Sequence, residues 1–116
     1  MLRKNVLRGE RNFSAVYKHG KSAGSRYVVL FYKKNGLDYN RLAFLASKKV
    51  GNAVARNRAR RLMKESVRSL GAFREQGYDI VFIARNTIVG RKCGEVKKSV
   101  SVAVRHSKLR FEAHGK

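Results

Sequence analysis

Between Asn52 and Leu70 the sequence NAVARNRARRLMKESVRSL carries two patterns at once. At about 100° per residue, Ala55, Ala59, Leu62, Met63, Ser66, Val67 and Leu70 fall on one arc roughly 140° wide. Arg56, Asn57, Arg58, Arg60, Arg61, Lys64, Glu65 and Arg68 take the opposite arc of roughly 200°. The segment therefore predicts an amphipathic helix whose apolar stripe must be covered by another layer of structure. Asn52 is a good N-terminal cap, because its side-chain oxygen can accept an otherwise unpaired backbone N–H of the first turn. Gly71 supplies a C-terminal stop.

The basic arc needs a second explanation. Surface helices usually mix charge signs so that residues four apart can pair, yet Glu65 is the only acid on this face. Arginine outnumbers lysine along it, and a planar guanidinium can hold a phosphate with two hydrogen bonds or stack on a base. The same imbalance runs through the chain, in which 28 Lys and Arg stand against 7 Asp and Glu for a formal net charge of +21. Self-repulsion of that size opposes compaction, so a polyanionic partner, a nucleic acid, is the economical reading. Lys48 and Lys49 sit where the chain enters the helix, whose N-terminus adds its own attraction for phosphate.

Other classes are disfavoured. The 116 residues match one domain, 1–116, with a modest core. The apolar run Tyr27–Tyr32 is far shorter than the roughly 20 residues of a membrane span. No secretory hydrophobic region follows Met1, and a lone cysteine allows no intramolecular disulfide, which suits the cytoplasm. Cys93 itself is expected to be a small packing residue.

Glu10–Lys18 places Phe13, Val16 and Tyr17 on one helical face before the stop His19-Gly20. Tyr27–Lys33 and Arg41–Ser47 read as strands, and Asn35-Gly36 between them suggests an antiparallel hairpin. Tyr78–Ala84 is apolar enough for a buried strand, parallel to a hairpin strand because a helix precedes it. Glu95–Val104 fits a helix through Val96, Val100 and Ala103, but also a strand through Val100, Val102 and Val104. Residues 107–116 look like a flexible polar tail.

No autonomous active site is legible. His19, His106 and His114 are scattered, no cysteine or histidine lies at a metal-binding spacing, and Ser25, Ser47 and Ser99 lack a nucleophile context. Glu75 and Asp79 are the closest acids in helical range, and they straddle Gly77, which points to a solvated turn. No catalytic residue and no metal ligand is assigned. Phe13, Tyr17, Tyr27 and Phe31, flanked by Lys18, Lys33 and Lys48, can form core, or an exposed platform on which unpaired bases stack.

These residues resemble a known family. The run RLAFLASKKVGNAVARNRARRLMKESVR, Arg41–Arg68, is similar to the signature of the bacterial ribonuclease P protein subunit, with its Arg-Asn-Arg helix at Arg56, Asn57 and Arg58. The resemblance extends to the FxxxY pattern of the first helix ending in Lys18-His19-Gly20, the strand leading to Phe31, IARN at Ile83–Asn86 and EVKKSV at Glu95–Val100. It implies a single-domain two-layer α-β sandwich, order α-β-β-α-β-α, with a left-handed β-α-β crossover (ribosomal protein S5 domain 2-like), against the usual right-handed preference. It also implies that the last third is helical.

The function implied is that of an accessory subunit: a catalytic RNA removes the 5′ leader of precursor tRNA, using Mg²⁺ held mainly by RNA and substrate. The protein would act as a monomer, one per RNA. By the same resemblance Lys48, Lys49, Asn52, Arg56, Asn57, Arg58, Arg60, Arg61, Lys64 and Arg68 would dock on the catalytic RNA, and Phe13, Tyr17, Lys18, Phe31 and Lys33 would hold the leader. Ala43 stands where the family often has Gly, so a methyl group must fit there. The charge alone would equally allow a structural RNA-binding protein such as a ribosomal component. A DNA-compacting protein suits the aromatic platform less well.

Overall fold

The computed structural model describes residues 2–112. Its elements are α1 (Glu10–His19), β1 (Lys21–Gly24), β2 (Val28–Lys34), β3 (Arg41–Leu45), α2 (Ala53–Leu70), β4 (Tyr78–Ala84) and α3 (Cys93–His106). The strands form one sheet in the order β1-β2-β4-β3.

Strand β4 is the most apolar segment, and it takes a central position. It pairs antiparallel with β2 from Val28↔Ala84 to Lys34↔Tyr78, and parallel with β3 from Arg41↔Asp79 to Leu45↔Ile83. A strand buried on both faces gains most where both of its edges are also hydrogen-bonded. The expected hairpin between β2 and β3 is therefore not formed, because β4 lies between them. Residues 35–40 step across the end of β4, a gap of about two strand spacings, or roughly 10 Å. That loop is anchored on the strand it crosses: Asn35 donates its backbone N–H to Gly77 O at 2.8 Å, and Tyr78 N–H donates to Asn40 Oδ1 at 2.9 Å. The other edge of β2 is taken by β1, a strand that the sequence pattern does not announce. KSAG has little intrinsic strand preference and no apolar alternation, so its extended form depends on the ladder that β2 offers it.

The sheet has two unlike faces. One carries Leu30, Tyr32, Ile80 and Phe82 and is covered by α2 and α3, which also pack on each other. As the spacing predicts, α2 buries Ala59, Met63, Ser66 and Val67, and the Asn52 side chain accepts from Ala55 N–H at 2.9 Å. Gly71 ends the helix at φ 113, in the left-handed region glycine favours. The last third is helical, with Val96, Val100, Ala103 and Val104 buried on one stripe of α3. Of the valines whose alternation suggested a strand, Val100 and Val104 lie one helical turn apart on that stripe, while Val102 between them is off it and only half-buried.

Among the described residues, the opposite face is covered by α1 and the N-terminal segment. Here Val16 and Leu7 pack with Ala43 and Val81 in a small second cluster, so the Ala43 methyl group is accommodated as core. Gly20 lets α1 dock closely on β2, since a Cβ there would lie 2.6 Å from Tyr32 O.

Three local expectations are corrected. Residues 107–112 do not form a polar tail: Leu109 is fully buried, Phe111 stacks on Phe73 at 4.7 Å, and Arg74 N–H donates to Arg110 O at 2.7 Å. The remainder of that tail, 113–116, and with it His114, lies outside the described residues. Cys93 is exposed as the first residue of α3 and is not a packing residue. Glu75 and Asp79 do not form a solvated turn. Glu75 accepts from Arg110 N–H at 2.8 Å, while Asp79 is buried and takes a two-pronged contact from Arg41 at 2.8 and 2.7 Å plus Asn35 Nδ2 at 2.9 Å. This ion pair clasps β3 to β4 at the end where the loop crosses. Asp79→Ala would leave Arg41 partly buried without its partner and should lower unfolding free energy by about 3 kcal/mol. Urea unfolding measures it, and a loss below about 1 kcal/mol would show that the clasp is not structural.

Candidate nucleic-acid interface

Two exposed surfaces gather most of the residues singled out by sequence. The first is the outer arc of α2. Asn57, Arg58, Arg61, Lys64 and Arg68 are exposed there, Arg56 and Arg60 are half-buried, and Lys48 and Lys49 are exposed in the turn that leads into the helix. The side chains are partly pre-set. Arg60 donates to Asn57 Oδ1 at 2.6 Å, and Arg58 reaches across to Arg91 O at 2.9 Å. Arg56 Nε is buried and has no hydrogen-bond partner among the described residues. Arg68 is less available than its position suggests, because Glu65 grips it at 2.6 Å. The hydrogen bond from Arg68 holds the Glu65 carboxyl below the usual carboxylate range, so the pair stays ionised at neutral pH. Asn52 uses its side-chain oxygen as the helix cap, which leaves its amide hydrogens for any other contact.

The second surface is the part of the sheet that α1 leaves uncovered. Tyr17 and Phe31 meet edge to face at 5.2 Å and 79°, with Phe13 half-buried in the same cluster. Tyr17 is 41% exposed, an unusual setting for a large aromatic side chain at the mouth of a cleft. Lys18 is exposed beside it, and Lys33 is half-buried on Phe31's side of β2, its Nζ donating to Lys34 O at 3.1 Å. Tyr27 does not join this group. It is buried on the other face of the sheet, in the core under α3, with Arg91 stacked over its ring at 5.5 Å.

The register adds residues that sequence pattern alone did not single out. Ser22 lies opposite Phe31 and Val29 opposite Ile83, so all four share one side of adjacent strands. Val29, Phe31 and Ile83 are each half-buried, giving the cleft an apolar floor. The period of two in β2 was a sufficient signal for Val29; Ser22 and Ile83 required knowledge of strand order. The two surfaces adjoin at the β3 edge, where Arg60, Arg61 and Lys64 share a groove of about 520 Å³ with Leu7, Phe13, Ala43 and Leu45.

A polyanion could lie along α2, and a strand with unpaired bases could place them against Tyr17 and Phe31. Among the described residues no three His, Cys, Asp or Glu side chains stand together as metal ligands. The buried carboxylate of Asp79 already spends its oxygens on Arg41 and Asn35.

The chain matches the Ribonuclease P family model over residues 1–108. It is 39% identical over 103 residues to the Ribonuclease P protein component of Caldanaerobacter subterraneus subsp. tengcongensis, covering 89% of each chain. Against that of Clostridioides difficile it is 41% identical over 104 residues, covering 89% of this chain and 91% of the relative. Its fold is similar to a solved mutant of the Staphylococcus aureus RNase P protein, with a TM-score of 0.85, 27% identity and coverage of 93% and 92%. The RNase P protein from Thermotoga maritima superposes with a TM-score of 0.70 at 31% identity, covering 82% of this chain and 90% of that one.

Proposed function

Because this chain belongs to the ribonuclease P protein family, we propose that it assembles with a catalytic RNA and helps that RNA remove the 5′ leader from precursor tRNA. The observation that carries this reading is the pairing of two exposed surfaces on one rigid sheet, the basic arc of α2 and the aromatic cleft at Tyr17 and Phe31. The two suit different RNA structures. A rod of guanidinium groups recognises backbone phosphates, whatever the sequence, and fits a folded RNA. An aromatic pair over an apolar floor needs bases that are not already paired, which a 5′ leader offers, and each stacked base would contribute about 1 to 3 kcal/mol.

In this account the protein supplies no acid, base or nucleophile. The Mg²⁺ ions of the reaction are held mainly by the RNA subunit and the substrate, and no step passes through a protein ligand. The protein's contribution is to neutralise phosphate repulsion as two RNAs approach, and to bind the leader so that the scissile bond is positioned. Both effects matter most when counterions are scarce.

Reconstitution with a bacterial ribonuclease P RNA and precursor tRNA at low Mg²⁺ should therefore raise leader cleavage well above that of the RNA alone. No gain over RNA alone would overturn the reading. Replacing Arg56 and Arg58 together with Ala should weaken assembly with the catalytic RNA. It should also flatten the plot of log K against log salt by about 0.7 to 0.9 for each phosphate that the variant no longer neutralises. An unchanged slope would mean that these side chains do not touch phosphate.

A further inference from the structure

Four lysines converge where the C-terminal end of α1 meets the sheet edge, and of these only Lys33 belongs to the two surfaces above. Lys21 begins β1, Lys33 and Lys34 end β2, and Lys108 follows α3; with Tyr32 and Tyr78 they line a pocket of about 350 Å³. Three different elements thus deliver cations to one small volume.

Proximity of like charges here is close. Lys21 and Lys108 line the same pocket, and repulsion from the Lys21 ammonium holds the Lys108 ammonium below its usual range. Placing two ammonium groups together costs free energy unless an anion sits between them. Among the described residues no carboxylate fills that place: the ion pairs there are Arg41 with Asp79, Arg68 with Glu65, and Arg91 with Glu95. The backbone around the pocket is fixed. Lys21 pairs with Tyr32 across the hairpin, and Lys108 N–H donates to the Tyr32 hydroxyl at 3.3 Å. The lysines are therefore held near one another by the fold, with a phenol oxygen at the base of the pocket.

The position of the pocket indicates which anion. Lys33 belongs both to this cluster and to Phe31's side of β2, two residues further along the same strand, or roughly 6.6 Å. Lys21 and Lys34 share Tyr32's side of the sheet, so a strand stacked on Tyr17 and Phe31 reaches the pocket by passing Lys33 and turning over the sheet end beside His19 and Gly20, which also line it. The volume accommodates a phosphate with its attached sugar. We propose that Lys21, Lys33, Lys34 and Lys108 form a phosphate clamp for the single-stranded RNA leader, engaging its backbone beyond the bases held at the aromatic cleft. The clamp rests on the function proposed above, and it predicts that leader length, more than leader sequence, sets this part of the affinity.

The test uses the reconstituted holoenzyme and a series of precursor tRNAs with leaders of increasing length. Lys21 and Lys108 are both exposed, so Lys21→Gln with Lys108→Gln removes two charges while keeping most of each stem, and circular dichroism checks that the fold is kept. For the unsubstituted protein, affinity should rise again once the leader is long enough to pass the aromatic cleft. The double variant should lose that second rise, binding the longest leader about tenfold more weakly and the shortest leader as before. On the longest leader its salt slope should be shallower by about 0.7 for each phosphate released from the clamp. A variant that gains affinity with length as the unsubstituted protein does overturns the clamp alone, as does equal weakening at every length. An unsubstituted holoenzyme indifferent to leader length overturns the leader-binding reading, and the clamp with it.

Discussion

Strand β4 is hydrogen-bonded along both edges and buried on both faces, and the placement of the basic helix, the aromatic cleft and the lysine pocket follows from it. On one side it supports β2, which carries Phe31 and Lys33; on the other it supports β3, whose far end leads through Lys48 and Lys49 into the basic helix. The Arg41–Asp79 pair ties the β3 side down at one end, where Asn35 and Asn40 also anchor the crossing loop. A basic helix and an aromatic cleft that would otherwise drift independently are thereby held at a fixed spacing. On the function proposed above, that fixed spacing is what would let one small sheet present two RNA structures to each other.

The two faces of the sheet divide stability from binding. The face under α2 and α3 holds the main core, including Phe82, Leu30, Met63 and Ile80, all fully buried. The other face is closed only in part, by Val16 and Leu7 over Ala43 and Val81, and its remaining aromatic and aliphatic side chains stay half-exposed. An apolar surface left open in this way, rimmed by lysine, usually marks a place where something binds. The cost of the excess positive charge is reduced by the same division, because α2 turns its arginines outward, away from the apolar side chains that it packs on the sheet.

Much of this was legible in the residues. The helical period of 53–70, its cap at Asn52 and its stop at Gly71 were readable because side-chain period, cap chemistry and backbone freedom are local properties. Strand order was not. Asn35-Gly36 signals a turn, but nothing local says whether that turn joins neighbouring strands or crosses a third one; the decision belongs to β4, some forty residues later. The same holds for Tyr27, whose aromatic ring reads like those of Tyr17 and Phe31 until the bend ahead of β2 turns it to the opposite face, against the strand's own period of two. Leu109 and Phe111 were hidden among charged neighbours, and Lys21 and Lys108 meet only because a hairpin and the end of α3 converge. Features set by contacts distant in sequence were the ones that only the fold could supply.

The central claim is that α2 faces the catalytic RNA while the cleft beside α1 faces the leader. Hydroxyl-radical probes tethered to single cysteines test this most directly, in a chain where the exposed Cys93 has first been replaced by Ser. Val54→Cys puts the probe on the exposed side of α2, and Ser22→Cys puts it beside Phe31 on the cleft face. In the assembled complex with precursor tRNA, the α2 probe should cut the catalytic RNA and the cleft probe should cut the leader. Cleavage of the leader from the α2 probe, or of the catalytic RNA alone from both, would contradict the account.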